Sequence, residues 1–204
     1  WCYVGKRHLE SAALAAKVSL EVDWQPFFLN HNTPAEGEDL MEHLRAKYGP
    51  GVVAQFDRPG NPLDKAASKV GITFNKNRRI IRTADSHRLV EWCKATAPQR
   101  QDDLIEALFK AYFEDGKDLS QRAELVACAD TSGLDGAAAG ALIDSQVYRA
   151  RLLNVALAAV LTLARTLLRS TCGRWRRKRG AGRGGASAAC RSSSSTRRAV
   201  AGTP

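Results

Sequence analysis

Trp1-Cys2-Tyr3-Val4-Gly5-Lys6-Arg7-His8 opens the chain, and the rest of the sequence is read outward from it. A single cysteine, followed by an aromatic residue, a glycine and two cations, stands where an apolar-periodic stretch begins. That is the pattern of a helix start. The N-terminus of a helix carries partial positive charge, which stabilises a thiolate, and so do nearby Lys and Arg. The octapeptide reads either as the head of a thiol-bearing helix or as an ordinary half-buried Cys. No initiator Met and no strand precedes it.

Residues 3–17 are expected to be helical, with Val4, Leu9, Ala12, Ala13 and Ala16 on overlapping apolar faces. Residues 18–24 then alternate. Val18, Leu20, Val22 and Trp24 fall on one side, and Ser19, Glu21 and Asp23 on the other, which predicts a half-buried strand ended by Pro26. Helices are expected around Leu40–Tyr48, Val52–Phe56 and Leu63–Val70, then a short extended piece at Gly71–Phe74 and a cationic loop over 75–82. A helix capped by Thr83 or Asp85 carries Leu89, Val90, Trp92 and Cys93, and another carries Leu104, Ala107, Leu108 and Ala111 to about Phe113. Asp118 or Ser120 is expected to cap the next helix, and Asp135 the last, after Gly133. Cys93, Cys128, Trp92, Phe109, Tyr112 and Phe113 are expected in the core.

These residues also carry a resemblance. Trp1-Cys2-Tyr3-Val4-Gly5-Lys6, Trp24-Gln25-Pro26-Phe27-Phe28-Leu29-Asn30, Lys47-Tyr48-Gly49, Gly71-Ile72-Thr73-Phe74, Asn77-Arg78, Asp85-Ser86-His87-Arg88-Leu89 and Ala107–Phe113 with Gly116-Lys117-Asp118 occur in one order. In that order they resemble the DsbA-like thioredoxin-fold oxidoreductases, most closely the FrnE-like branch, over residues 1 to about 148. The resemblance implies an α/β, thioredoxin-like fold with a large helical insertion, its thioredoxin core incomplete in this chain. Residues 1–34 would be the remnant of that core and 35–148 the insertion.

The chemistry implied by the resemblance is thiol–disulfide exchange through a Cys-Pro-Trp-Cys-type motif, of which Trp1 and Cys2 are the second half. Cys2 then matches the buried resolving cysteine, and the nucleophilic cysteine and its strand would precede Trp1. His87, Arg88, Asn77 and Arg78 are candidate site-lining residues, able to tune the thiol or bind a substrate anion. The alternative is that Asp85 caps a helix and His87 and Arg88 are solvated first-turn residues. A related possibility on the same fold is a glutathione-dependent isomerase or transferase of the 2-hydroxychromene-2-carboxylate isomerase or kappa type, with Ser in the first motif position. Protein or small-molecule thiols and disulfides are the expected partners. No bound cofactor is expected, glutathione being a thiol co-substrate.

Composition constrains the remainder. The chain has 204 residues and a net charge of +10. All 21 acidic residues lie before residue 149, with 18 of the 31 Lys and Arg, so the positive charge belongs to 149–204. Five cysteines, with no CxxC and no ligand spacing to the four histidines, argue against a metal site. Their wide, irregular spacing favours a reducing, cytoplasmic compartment. An apolar helix is expected over 149–172. Its uncharged core, Leu152–Ala164, is shorter than the ~20 residues of a membrane span. Residues 173–204, with Arg174-Trp175-Arg176-Arg177-Lys178-Arg179, read as a basic low-complexity tail, expected to be disordered. A non-enzymatic helical module with a nucleic-acid-binding tail is the third functional possibility. A further expectation competes with it. A coding sequence for Gly-Val-Ser-Gly-Val-Pro-Phe-Phe-Ile-Ile, the segment the resemblance requires after the insertion, yields Ala-Ser-Ala-Ala-Cys-Arg-Ser-Ser-Ser-Ser when read one base later. That is Ala186–Ser195 of this chain. The tail is therefore expected to be a reading-frame artefact, which argues against nucleic acid as a partner.

Overall fold

In the computed structural model, which describes residues 1–30 and 32–148, Cys2–Ala16 forms the 15-residue helix α1. Lys17 ends it in the left-handed conformation (φ 55°), and the Lys17 and Val18 N–H groups turn back to the Leu14 and Ala13 carbonyls. Only the first turn is deeply placed. Tyr3, Val4 and Lys6 are buried, whereas Leu14 is 81% exposed. The chain divides into two compact units, Trp1–Val160 and Leu161–Pro204; every described residue belongs to the first. The expected apolar helix, basic tail and frame-shifted segment lie outside the described residues.

The strand expected at 18–24 does not form. A strand needs a neighbour's backbone, and no hydrogen bond joins the N–H or C=O groups of residues 19–23 to any described group. The alternation survives without the ladder. Leu20, Val22 and Trp24 line one cavity wall, as every second residue of an extended chain does. The far end of the segment is fastened. The Gln101 side-chain amide accepts from the Trp24 N–H and donates to the Trp24 carbonyl, both at 3.4 Å, and Trp24 Nε1 donates to Asp102 at 3.3 Å.

The described β structure is small: β1 (Glu38–Asp39) pairs antiparallel with β2 (Arg79–Ile80), Glu38 opposite Ile80. β2 arises inside the expected cationic loop. Gly37 permits the pairing, since at its φ of 69° a Cβ would lie 2.7 Å from the Ile80 carbonyl oxygen. Gly71–Phe74 is not a strand.

The rest is helical: α2 (Leu40–Tyr48), α3 (Pro50–Asp57), α4 (Pro62–Ser68), α5 (Ala84–Thr96), α6 (Gln101–Phe109), α7 (Arg122–Thr131) and α8 (Gly136–Asp144). Asp39, Asn61 and Asp135 cap α2, α4 and α8 by accepting from backbone N–H groups. Two expected caps fail. Neither Thr83 nor Asp85 caps α5, because the Asp85 carboxylate takes Arg88 instead. α7 begins after Gln121, because Asp118 closes a local turn onto Ser120. α6 does not run as an α-helix to Phe113. It widens into a π-helical turn, Lys110–Glu114.

Two apolar clusters result. The larger joins α5 to α8 through Leu89, Cys93, Leu104, Leu125, Cys128 and Ala139. The smaller joins Tyr3 and Val4 to Ala67 and Ile72, with Phe74 and Phe113 packed on it. Phe109 touches both clusters. The first turn of α1 is thereby tied to the helical region through the π-helical turn. No described helix is long and apolar enough to cross a membrane.

Candidate functional site: the first turn of α1

Trp1 and Cys2 stand at the head of α1. Trp1 occupies the N-cap position, where its indole supplies no cap to the first N–H groups. Cys2 carries a free thiol and is exposed, which corrects the expectation of a buried resolving cysteine. Its neighbour Tyr3 faces inward, because successive helical residues are turned about 100° apart.

The two cations expected to support a thiolate are otherwise engaged. Lys6, 6% exposed, is ion-paired with Glu10, with Asp102 at 3.0 Å and with Glu106 at 3.1 Å. Burial works to lower its pKa, but these carboxylates outweigh it and the net shift is upward. Arg7 pairs with Glu10 at 3.1 Å and with Glu106, and its guanidinium lies 5.3 Å from the Tyr3 ring centre. The Tyr3 hydroxyl lies 2.9 Å from Glu106 Oε1 and 2.7 Å from Glu114 Oε1. Burial first, then these two carboxylates, push the Tyr3 pKa far up. A complete charge network therefore sits beneath Cys2.

A cavity of about 250 Å³ opens beside this network. Lys6, Glu10 and Asp102 give it a polar side, while Leu9, Ala13, Leu20 and Val22 give it an apolar one.

The other sequence-predicted residues divide. Arg78 joins the same aromatic cluster as Tyr3. Its guanidinium stacks 5.4 Å from the Phe113 ring centre and 5.9 Å from that of Phe74, and Phe113 lies 6.2 Å from Tyr3. Nη1 donates to the Asn75 carbonyl at 2.7 Å. Burial holds its pKa below the usual guanidinium value. Asn77 is exposed and closes a turn on Asn75.

Arg88 is neither solvated nor site-lining. It is fully buried, and it donates to the carbonyls of Leu142 (2.7 Å), Ile143 (3.2 Å), Ser145 (2.6 Å) and Val147 (2.9 Å). It closes the end of α8, whose last carbonyls lack helical partners. His87 is half-buried and meets Phe28 edge-on at 5.1 Å. Burial lowers its pKa against an opposing hydrogen bond with the Phe27 backbone. No hydrogen bond, ion pair or ring contact joins His87 or Arg88 to Trp1 or Cys2 among the described residues.

Sequence reading missed Tyr3, Glu10, Asp102, Glu106 and Glu114 as members of the site. A signal was present: Tyr3, Lys6, Arg7 and Glu10 share a helix face at three- and four-residue spacing, and Asp102 and Glu106 form a four-spaced acidic stripe. What sequence lacked was the contact between the two faces. Among the described residues no group of three His, Cys, Asp or Glu side chains is placed to hold a metal.

A crystal structure of a probable DsbA oxidoreductase from Streptomyces coelicolor superposes with a TM-score of 0.70 at 26% identity, over 79% of this chain and 70% of that one. No curated protein matches the chain. The family model for the DSBA-like thioredoxin domain matches residues 1–160, reaching beyond residue 148, where the motif-by-motif resemblance ends. The fold is thioredoxin-like, mostly helical with a small two-stranded sheet, and the chain belongs to the DSBA-like thioredoxin domain family.

Proposed function

We propose that the chain exchanges thiols and disulfides through Cys2, the second half of a Cys-Pro-Trp-Cys-type motif. One observation carries this reading: an exposed free thiol in the first turn of a 15-residue helix whose start no side chain caps. Cys2 loses its proton to solvent, and the thiolate attacks one sulfur of a substrate disulfide. The substrate S–S bond breaks as the mixed disulfide with Cys2 forms, and the displaced sulfur leaves as a thiolate that water reprotonates. Electrons balance with no metal or organic cofactor. Trp1, 68% exposed, offers a flat apolar surface beside the sulfur for the substrate chain. Substrates are protein or small-molecule thiols and disulfides, with glutathione as a co-substrate. A reducing, cytoplasmic compartment fits the free Cys2, Cys93 and Cys128.

The test is to incubate the native chain with oxidised glutathione and map the adducts by peptide mass. Cys2 is expected to carry glutathione, and Cys2→Ser to lose that adduct. A native chain whose Cys2 stays free while other thiols react would remove the proposal.

A further inference from the structure

The buried Tyr3 hydroxyl is one proton short of the contacts it makes. Its oxygen lies 2.9 Å from Glu106 Oε1 and 2.7 Å from Glu114 Oε1, and oxygens that close need a proton between them. A phenol has one proton to give and a carboxylate has none. Arg7 Nη2 adds a weak donor to the phenol oxygen at 3.4 Å, but nothing to Glu114. Tyr3 keeps its own proton, because burial first and then the two carboxyl groups push its pKa far up. Both contacts become hydrogen bonds only when one carboxyl is protonated. The neighbours decide which one. Glu106 faces two cations, Lys6 at 3.1 Å and Arg7, and these ion pairs hold it as a carboxylate. Among the described residues no cation pairs with Glu114. Lys110, on the same π-helical turn, spends its ammonium on both oxygens of Asp115, at 2.7 and 2.9 Å. Lys6 and Arg7 already face Glu10, Asp102 and Glu106, so an ionised Glu114 would add one more like charge across the phenol.

We propose that Glu114 carries a proton in the folded chain and closes a pH-sensitive latch with it. Glu114 donates to Tyr3, Tyr3 donates to Glu106, and Lys6 and Arg7 hold Glu106 from its other side. The latch joins two elements, since Tyr3 lies in the first turn of α1 and Glu114 ends the π-helical turn. Phe109 and Phe113 pack beside it, their ring centres 5.3 and 6.2 Å from that of Tyr3. Loss of the proton leaves Tyr3 between two carboxylates with one proton for both, so one contact opens. The open form binds one proton fewer than the closed form, and opening therefore gains as pH rises. The turn that carries Cys2 is fastened at lower pH and loosened at higher pH. The charged groups around the latch are Lys6, Arg7 and Glu10 on α1, Asp102 and Glu106 on α6, and Lys110 and Asp115 at the π-helical turn. The latch stands on this geometry and requires no exchange at Cys2.

Infrared difference spectra of the full chain test the proton. At pH 7 the native chain is expected to show a carboxylic acid C=O band that Glu114→Gln removes, the Gln amide taking over the donation to Tyr3. Tyr3→Phe should shift the same band, because the acid loses its phenol partner. No band lost in Glu114→Gln, or a band that Tyr3→Phe leaves unmoved, would overturn the inference. Hydrogen exchange tests the latch. The amides of residues 5–8, which begin with the Gly5 N–H bonded to the Trp1 carbonyl, are compared between the native chain and Glu114→Gln at each pH. That ratio cancels the intrinsic pH dependence of exchange. From pH 6 to pH 9 the native chain should speed up relative to Glu114→Gln by about tenfold, the factor by which the closed latch holds its proton more tightly than the open one. A constant ratio would overturn the latch even with the acid band present. Neither readout involves the Cys2 thiol, whose exchange the glutathione adduct reports separately.

Discussion

The three described cysteines have opposite fates, decided by burial. Cys2 is exposed, whereas Cys93 and Cys128 are buried in the α5–α8 core. Burial first, then Asp103 for Cys93 and Glu124 and Asp115 for Cys128, pushes both thiols up to about 11. At pH 8 they are protonated and shielded, and hence inert. Native alkylation at pH 8 should label Cys2 within minutes and spare Cys93 and Cys128 until denaturant is added; equal labelling of all three would show that the core is open. The same shifts carry a stability consequence. The folded thiols hold their protons up to about 11, while an unfolded thiol releases its proton near the ordinary value of about 8.5. The unfolded chain therefore binds fewer protons between these values, and stability falls as pH rises through that window. Urea midpoints measured from pH 8 to pH 11 should decline, with the decline reduced in a Cys93→Ala, Cys128→Ala double variant. Tyr3 makes a third test. Tyr3→Phe keeps the ring against Phe109 and Phe113 but removes the hydroxyl from Glu106 and Glu114. A buried hydrogen bond to a charged group contributes about 2 kcal/mol, so urea unfolding should show a loss of that order; no loss would mean that the two carboxylates re-pair without it.

At the scale of elements, α5 and α8 share the larger apolar cluster, and one polar side chain also ties them. Arg88 spreads its donors over four carbonyls at and beyond the end of α8. Lys has three donors on one point and cannot span that fork. Arg88→Lys should therefore cost about 3 kcal/mol or more, read in urea unfolding, and should speed hydrogen exchange in residues 136–144. Unchanged exchange there would show that α8 docks by its apolar face alone. Most elements were legible from periodicity. The spacing of Leu40, Leu44 and Tyr48 marks a helix that forms where expected, and that of Leu104, Leu108 and Ala111 one that forms but turns π-helical after Phe109. Asp135 capping was legible because a capping side chain acts within its own turn. Asp85 was not, because a residue three positions on outcompeted the backbone for its carboxylate. The segment 18–24 shows the other limit. Its alternation specifies which way side chains point, but a strand also needs a neighbour, and no local pattern supplies one.

Across the whole molecule, most of the described core belongs to the helices beyond residue 84, and the first turn of α1 packs on a second, smaller cluster. The candidate site was half legible. Cys2 could be singled out as a candidate because a cysteine at a helix head has a chemical meaning without its surroundings. The Tyr3–Lys6–Arg7 network was missed because its acidic partners are about a hundred residues away in sequence. Arg78 and Arg88, adjacent in motif terms, part company in the fold. One stacks on the aromatic cluster under α1, and the other seals a helix end. The central claim is that this fold makes Cys2 a reactive thiol. It is tested most directly by the rates at which Cys2, Cys93 and Cys128, each followed by peptide mass, react with oxidised glutathione at pH 7 in the native chain. Cys2 is expected to react well ahead of the other two, because it alone of the three is exposed. A Cys2 no faster than the buried pair would contradict the claim.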